Sequence, residues 1–313
     1  MKAIQFFAIT ALGAALFASC SNEEELATGS YPSDNLIRVT AGVNNDMTRS
    51  DEAVTPTSLT QNFSLTVVNN TNDNFSYANE IFSLKGGTEW SCGKNLLWQN
   101  LSTPVEIVAL YPAVDANTFS GVYSKENKSY GTITYGVNPD QSTADDANDL
   151  LLYHNASFKP EKDLENGKLD IEFNHAFCRI DIEVTIGTEF NATNGLAANP
   201  IQGISVGGTQ IAADINLASA SPTITAKGDA TSITPTPGDF TPAASAANQA
   251  VARYSCMVIP QTAYLNIVLH TSDREYEWTG TKMALESGKQ YTLQLNMTNK
   301  STTARKFILR ERK

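Results

Sequence analysis

Three histidines, His154, His175 and His270, are the only side chains of this 313-residue chain whose ordinary pKa falls near neutrality. His175 lies in FNHAFCRI, alternating with Phe173, Phe177 and Arg179, the setting of a hydrogen-bonded packing residue in a strand rather than of a base or metal ligand. No serine elbow of the G-x-S-x-G kind, no H-E-x-x-H zinc helix and no phosphate-binding glycine loop is expected. Acidic oxygens gather in DQSTADDANDLLLYH, where Asp140, Asp145, Asp146 and Asp149 could hold a calcium ion weakly. That stretch lacks the glycine and distal glutamate of an EF-hand loop, so solvated loop charge explains it better. Trp90 and Trp98 in GTEWSCGKNLLWQN, with Trp278, would stack on sugar rings if exposed, although packing explains the first two more simply. The sequence predicts no enzyme, no cofactor and no metal, and leaves glycan capture open.

Cysteine chemistry is concentrated at one position. Cys92, Cys178 and Cys256 are odd in number and match no C-x-x-C spacing, so they fix no disulfide framework, and whether any two pair is left open. Cys178 alternates with Ala176, Ile180, Ile182 and Val184, and Cys256 lies in RYSCMVIP, so both read as small core hydrophobes. Cys20 is different. One positive charge, Lys2, and an apolar run from Ala3 to Phe17 precede it, and Glu23, Glu24 and Glu25 follow it. Residues 1–19 read as an export leader, since a spanning helix needs about 20 apolar residues. The string FASC resembles the lipobox of bacterial lipoproteins, with Phe17 where leucine is commoner. That resemblance implies that the Cys20 thiol takes a diacylglycerol and becomes the first residue of the mature chain. Each buried lipid methylene contributes roughly 0.8 kcal/mol, so two or three acyl chains hold firmly to an outer membrane. The acidic run behind Cys20 resembles a tag that carries lipoproteins to the cell surface.

The remaining sequence describes a scaffold. A net charge of −11 excludes nucleic acid as a partner, because phosphate binding needs a basic face. Residues 20–36 form a polar tether with Gly29, Pro32 and Asn35. Beyond it, segments such as NFSLTVVNN, VEIVALYP, YGTITYGV, KLDIEFNHAFCRIDIEVTI, RYSCMVIPQ, YLNIVLHT and YTLQLNM alternate apolar with polar residues. The pattern is all-β, and the length suits two tandem β-sandwiches. Their division is expected in KPEKDLENGK, giving domains 37–163 and 164–313, the second opened by the long KLDIEFNHAFCRIDIEVTI strand. The Ala, Ser, Thr and Pro-rich stretch after Leu217 reads as a surface insertion with one or two short strands. In NLIRVTAGVNNDMTRSDE, Ile37, Val39, Ala41 and Val43 alternate with Arg38, Thr40 and Gly42 and predict a strand with one apolar face.

Five strings occur in an order that resembles a known family. VALYP at 108–112, DLLLYH at 149–154, LDIEFNHAFCRIDIEV at 169–184, VIPQT at 258–262 and LESGKQYTLQL at 285–295 are joined by MTRS at 47–50 and the lipobox. Together they resemble the fimbrillin-like family, the type V pilins of anaerobic Gram-negative bacteria, over nearly the whole chain. Leu152 and His154 depart from the commoner DLLYA. The resemblance implies two transthyretin-like, Greek-key sandwiches in a structural or accessory subunit of an adhesive surface pilus, whose partners are other pilin subunits. It also implies cleavage between Arg49 and Ser50, with release of the strand carrying Ile37, Val39, Ala41 and Val43. A strand of the next subunit would fill the groove, and the favoured donor is the C-terminal ARKFILRERK, with Phe307 and Leu309 as its plugs. The rival is a monomeric surface lipoprotein that captures glycan through exposed tryptophans. Stalk, base or tip placement, a host or glycan ligand, and retention of the lipid are left open.

Overall fold

The structure, a computed structural model, describes residues 31–44, 59–87, 89–113, 123–143, 148–218, 222–299 and 301–311, the last with side chains only to Thr303. Cys20, Arg49, Ser50, Asp145 and Asp146 lie outside these residues. The regular structure of the described residues is almost all strand, with one α-helix, Pro160–Asp163. Among the described residues no helix is long and apolar enough to cross a membrane.

The chain begins with β1 (Val39–Val43), β2 (Phe63–Val68), β3 (Tyr77–Gly86), β4 (Glu89–Ser91) and β5 (Val105–Tyr111). A short hairpin of β6 (Tyr123–Ser124) and β7 (Ser129–Tyr130) leads to β8 (Thr132–Gly136), and then come β9 (Leu151–Phe158) and β10 (Leu169–His175). Seven of these form one sheet in the order β1-β10-β9-β5-β2-β3-β4, and the pairing of β4 with β1 closes it into a barrel. Phe63 sits amid its aromatic core, stacked on Phe82 at 5.2 Å and edge-on to Trp90 at 4.9 Å and Phe173 at 5.6 Å.

The second body contains β11 (Cys178–Ile186), β12 (Gly203–Gly207), β13 (Gln210–Asn216), β14 (Thr223–Ala230) and β15 (Thr236–Thr241). It continues with β16 (Ala250–Val258), β17 (Gln261–His270), β18 (Glu275–Leu285), β19 (Lys289–Met297) and β20 (Thr302–Glu311). A five-stranded sheet, β15-β16-β11-β19-β20, shares one core with two three-stranded sheets, β12-β17-β18 and β14-β13-β8. β14 and β15 are the short strands of the insertion. Pro260, which has no N–H for a ladder, separates β16 from β17. Gly288, at φ +68, makes the turn into β19 and donates its N–H to the Phe177 carbonyl at 3.1 Å.

Two expectations about organisation are corrected. KLDIEFNHAFCRIDIEVTI is not one strand: it breaks at Ala176 and Phe177, so β10 stays in the barrel while β11 lies inside the five-stranded sheet. The change of body therefore follows His175 rather than falling between residues 163 and 164, and β8, from before that point, pairs with β13 in the second body. The cause is a shift in apolar parity. Leu169, Ile171 and Phe173 are buried in the barrel core, whereas Cys178, Ile180, Ile182 and Val184 are buried in the other. Because side chains alternate with period two, a shift by one residue transfers the whole apolar set to the opposite face.

Candidate functional site

The strand predicted from Ile37, Val39, Ala41 and Val43 is a five-residue strand of the barrel held by two partners. β1 runs parallel to β10, from Val39 opposite Leu169 to Val43 opposite Phe173, and antiparallel to β4, with Val39 opposite Trp90 and Thr40 opposite Glu89. Its burial alternates as the sequence requires: Val39 and Ala41 are 2% exposed and Val43 6%, and Ile37 just before it is 9% exposed. Beneath them lie Phe63, Trp90, Leu169, Ile171 and Phe173. Removing β1 would separate β4 from β10 and leave a strand-wide opening with unpaired backbone on both sides.

Polar bonds fix both ends of this segment. Asp34 takes two hydrogen bonds from Arg38, at 2.9 and 2.6 Å, and one from the Leu36 N–H at 3.1 Å. The Arg38 guanidinium, chiefly through those bonds, holds the exposed Asp34 carboxyl down at about 2. The Ile37 N–H donates to Leu96, and the Trp98 N–H donates to Asn35, at 2.9 and 2.8 Å. At the far end Asn44 donates its N–H to the Phe173 carbonyl at 2.8 Å and its side-chain amide to Asn174 at 3.1 Å. The outward side of β1 borders a hollow of about 330 Å³ lined by Thr40, Gly42, Glu165, Asp170 and Glu172 among others. There the Thr40 hydroxyl donates to Asp170 at 2.5 Å.

The candidate donor is docked in its own subunit. β20 is an edge strand of the five-stranded sheet, paired antiparallel with β19, with Phe307 opposite Leu293 and Leu309 opposite Tyr291. Leu293 and Tyr291, the register partners of Phe307 and Leu309, are buried in the second core. An edge strand can leave without breaking any pairing except its own.

The other sequence-singled residues are structural or scattered. Trp90 and Trp98 are 4% and 2% exposed, so neither can present a ring to a sugar, which corrects their place in the glycan reading. Trp278 packs against the second core, its ring beside Gly280. His175 Nδ1 lies 3.0 Å from Asp149, joining the end of β10 to the loop before β9, and His154 Nε2 lies 2.8 Å from Glu106. Cys92, Cys178 and Cys256 form no disulfide with one another. Cys178 and Cys256 are buried, and burial pushes the Cys256 thiol well above the usual thiol range. Among the described residues no cluster of metal-ligating side chains occurs.

One expectation about serine chemistry is corrected by the residues themselves. Gly203-Ile204-Ser205-Val206-Gly207 has the G-x-S-x-G spacing. His270 lies opposite Gly203, two residues from Ser205 on the same face, and its Nδ1 is 3.1 Å from Glu275. The string is nonetheless all of β12, paired with β17 at every residue, and not the sharp strand-to-helix turn that gives such a serine its exposure and oxyanion donors.

A fimbrillin-like family model matches residues 48–307 of the chain. Among solved structures, a proposed cell adhesion protein from Bacteroides uniformis is similar with a TM-score of 0.59 at 14% identity, over 89% of this chain and 98% of that one. Another from Bacteroides ovatus has a TM-score of 0.60 at 15% identity, over 88% of this chain and 97% of that one. At such identities the likeness concerns the fold. No curated protein sequence matches the chain.

Proposed function

The chain belongs to the fimbrillin-like family, and from that membership we propose that it is a structural or accessory subunit of an adhesive surface fimbrium, exported as a lipoprotein through Cys20 and assembled by strand exchange. The observation that carries the reading is the position of β1, which alone joins β4 to β10 and whose inward row is apolar. Cleavage between Arg49 and Ser50 would free everything from the tether through β1 and leave β2 onward in place. The buried side chains of Ile37, Val39 and Val43 hold the uncut strand with roughly 1.5–3 kcal/mol each, so the precursor stays closed. The opened barrel then offers main-chain hydrogen bonds and an apolar floor to a strand of the next subunit, which is β-augmentation. The edge position of β20 suits it to be that strand, with Phe307 and Leu309 entering the floor.

The test is to treat purified precursor with an arginine-specific protease and look for oligomers that resist mild denaturant. Wild-type protein should form a ladder, while Arg49→Ala and a chain lacking residues 300–313 should stay monomeric. Cut wild-type protein that remains monomeric would refute strand exchange. For the leader, Cys20→Ala should abolish labelling of cells by a fatty-acid analogue, and undiminished labelling would remove the anchor from the proposal.

A further inference from the structure

We infer that the outward face of β10 is an electrostatic selector for the incoming strand: Asp170 and Glu172, backed by Glu165, accept the basic outward row of a second copy's C-terminal strand. The inference rests on the strand-exchange reading and adds what discriminates a right strand from a wrong one.

On the acceptor side, the 330 Å³ hollow beside β1 is framed by three carboxylates from β10 and the turn before it. Lys168 in the same wall is already engaged, 2.6 Å from Glu89. Among the described residues no lysine or arginine pairs with Glu165, Asp170 or Glu172. Asp170 is satisfied by the Thr40 hydroxyl, which belongs to β1 and departs with it. Loss of β1 therefore does two things at once: it opens the apolar floor and strips Asp170 of its donor, leaving uncompensated negative charge along one lip of the opening.

On the donor side, the register of β20 separates two rows. Phe307 and Leu309 share one row, and Lys306, Ile308 and Arg310 share the other. Any seating that turns Phe307 and Leu309 to the barrel core must turn Lys306 and Arg310 outward, onto the side where Asp170 and Glu172 stand. The sequence concentrates cations there: residues 304–313 carry Arg305, Lys306, Arg310, Arg312 and Lys313 against Glu311, in a chain of net charge −11. Strands such as β5, β13 and β15, whose only charged side chains are Glu106, Asp214 and Asp239, would bring like charge to the lip, and like-charge juxtaposition at a docking surface is costly.

The experiment uses full precursor cut at arginine, with four chains compared: wild type, Asp170→Lys with Glu172→Lys, Lys306→Glu with Arg310→Glu, and all four changes together. Each one-sided reversal should slow oligomer formation about tenfold or more, and the combined chain, in which both surfaces are reversed, should regain most of the wild-type rate. Wild-type assembly should also slow as salt is raised from about 0.05 to 0.5 M. One-sided reversals that assemble like wild type, or a combined chain no faster than either, would overturn the inference while leaving strand exchange standing. A wild-type chain that never assembles would sink both. If a reversed chain fails to fold, as judged by its unfolding midpoint before cutting, the salt series on wild type decides, and a rate indifferent to salt overturns the selector.

Discussion

Ile107 and Val108 are neighbours in β5 and are buried in different cores. Ile107 packs in the barrel with Ala109 and Tyr111, while Val108 and Leu110 pack with the second body, and none of the five is more than 3% exposed. β5 is thus a shared wall, and the two bodies meet across an apolar surface rather than through a linker. Ile107→Ala and Leu110→Ala should each cost about 2–5 kcal/mol in denaturant unfolding, since each leaves a cavity in a packed core. A cost near zero for Leu110→Ala, as for an exposed residue, would show that the outer face of β5 is not a core.

That wall shows what the sequence made legible. Strand β1 was readable because Ile37, Val39, Ala41 and Val43 keep a strict period of two, and the structure buries that row. IVALY in β5 held a signal that period-two reading passes over: an uninterrupted apolar run marks a strand covered on both faces. The parity change between Phe173 and Cys178 was likewise visible, yet the length of the alternating run concealed a crossing between bodies. Closure of the barrel was not visible, because β4 has three residues and only contacts made far away in the chain give it a role. The docking of β20 on β19 was also hidden, since alternation says which row is apolar but not which sheet it will face.

Tyr111 gives a local test of the VALYP string. Its hydroxyl accepts hydrogen bonds from the backbone N–H groups of Thr60 and Gln61 at 3.1 and 3.2 Å, pinning the entry to β2. Tyr111→Phe keeps the ring among its neighbours and removes the acceptor. The expected loss is about 1–2 kcal/mol by thermal or denaturant unfolding. An unchanged midpoint would mean that water replaces the hydroxyl without cost.

The buried thiols and phenols give the protein a pH limit on the alkaline side. Burial raises the pKa of Cys256, with Cys178 adding to it, and burial likewise raises that of Tyr130. Below about pH 8 these groups are neutral folded or unfolded, so they leave stability independent of pH. Above the ordinary thiol range, near 8.5, only the unfolded chain can release the proton, and folding weakens as pH rises; tyrosine adds to this from about 10. The unfolding midpoint should be level from pH 7 to 8 and fall beyond about 9, and Cys256→Ala should lessen the first part of the fall. In native protein without the leader and Cys20, a thiol reagent should label Cys92 well before Cys178 or Cys256. Equal labelling of all three would contradict the burial.

The last prediction follows the opening of the groove directly. Trp90 is opposite Val39 across the β1–β4 pairing, is 4% exposed, and packs edge-on to Phe63 at 4.9 Å. It is covered by the strand whose departure is proposed, whereas Trp98 stacks on Phe158 at 5.6 Å and Trp278 belongs to the second core. With Trp98→Phe and Trp278→Phe, Trp90 remains as the single tryptophan of the chain's three. Cutting at Arg49 alone should leave its emission as in the precursor, because the severed strand is still held by its buried row. Emission should move to longer wavelength, with easier quenching by iodide, only when β1 leaves, and should return when a donor strand enters. The order of these changes separates nicking from exchange. A spectrum that stays blue while oligomers form would mean that subunits join without emptying the groove, and assembly would then have to run through another surface.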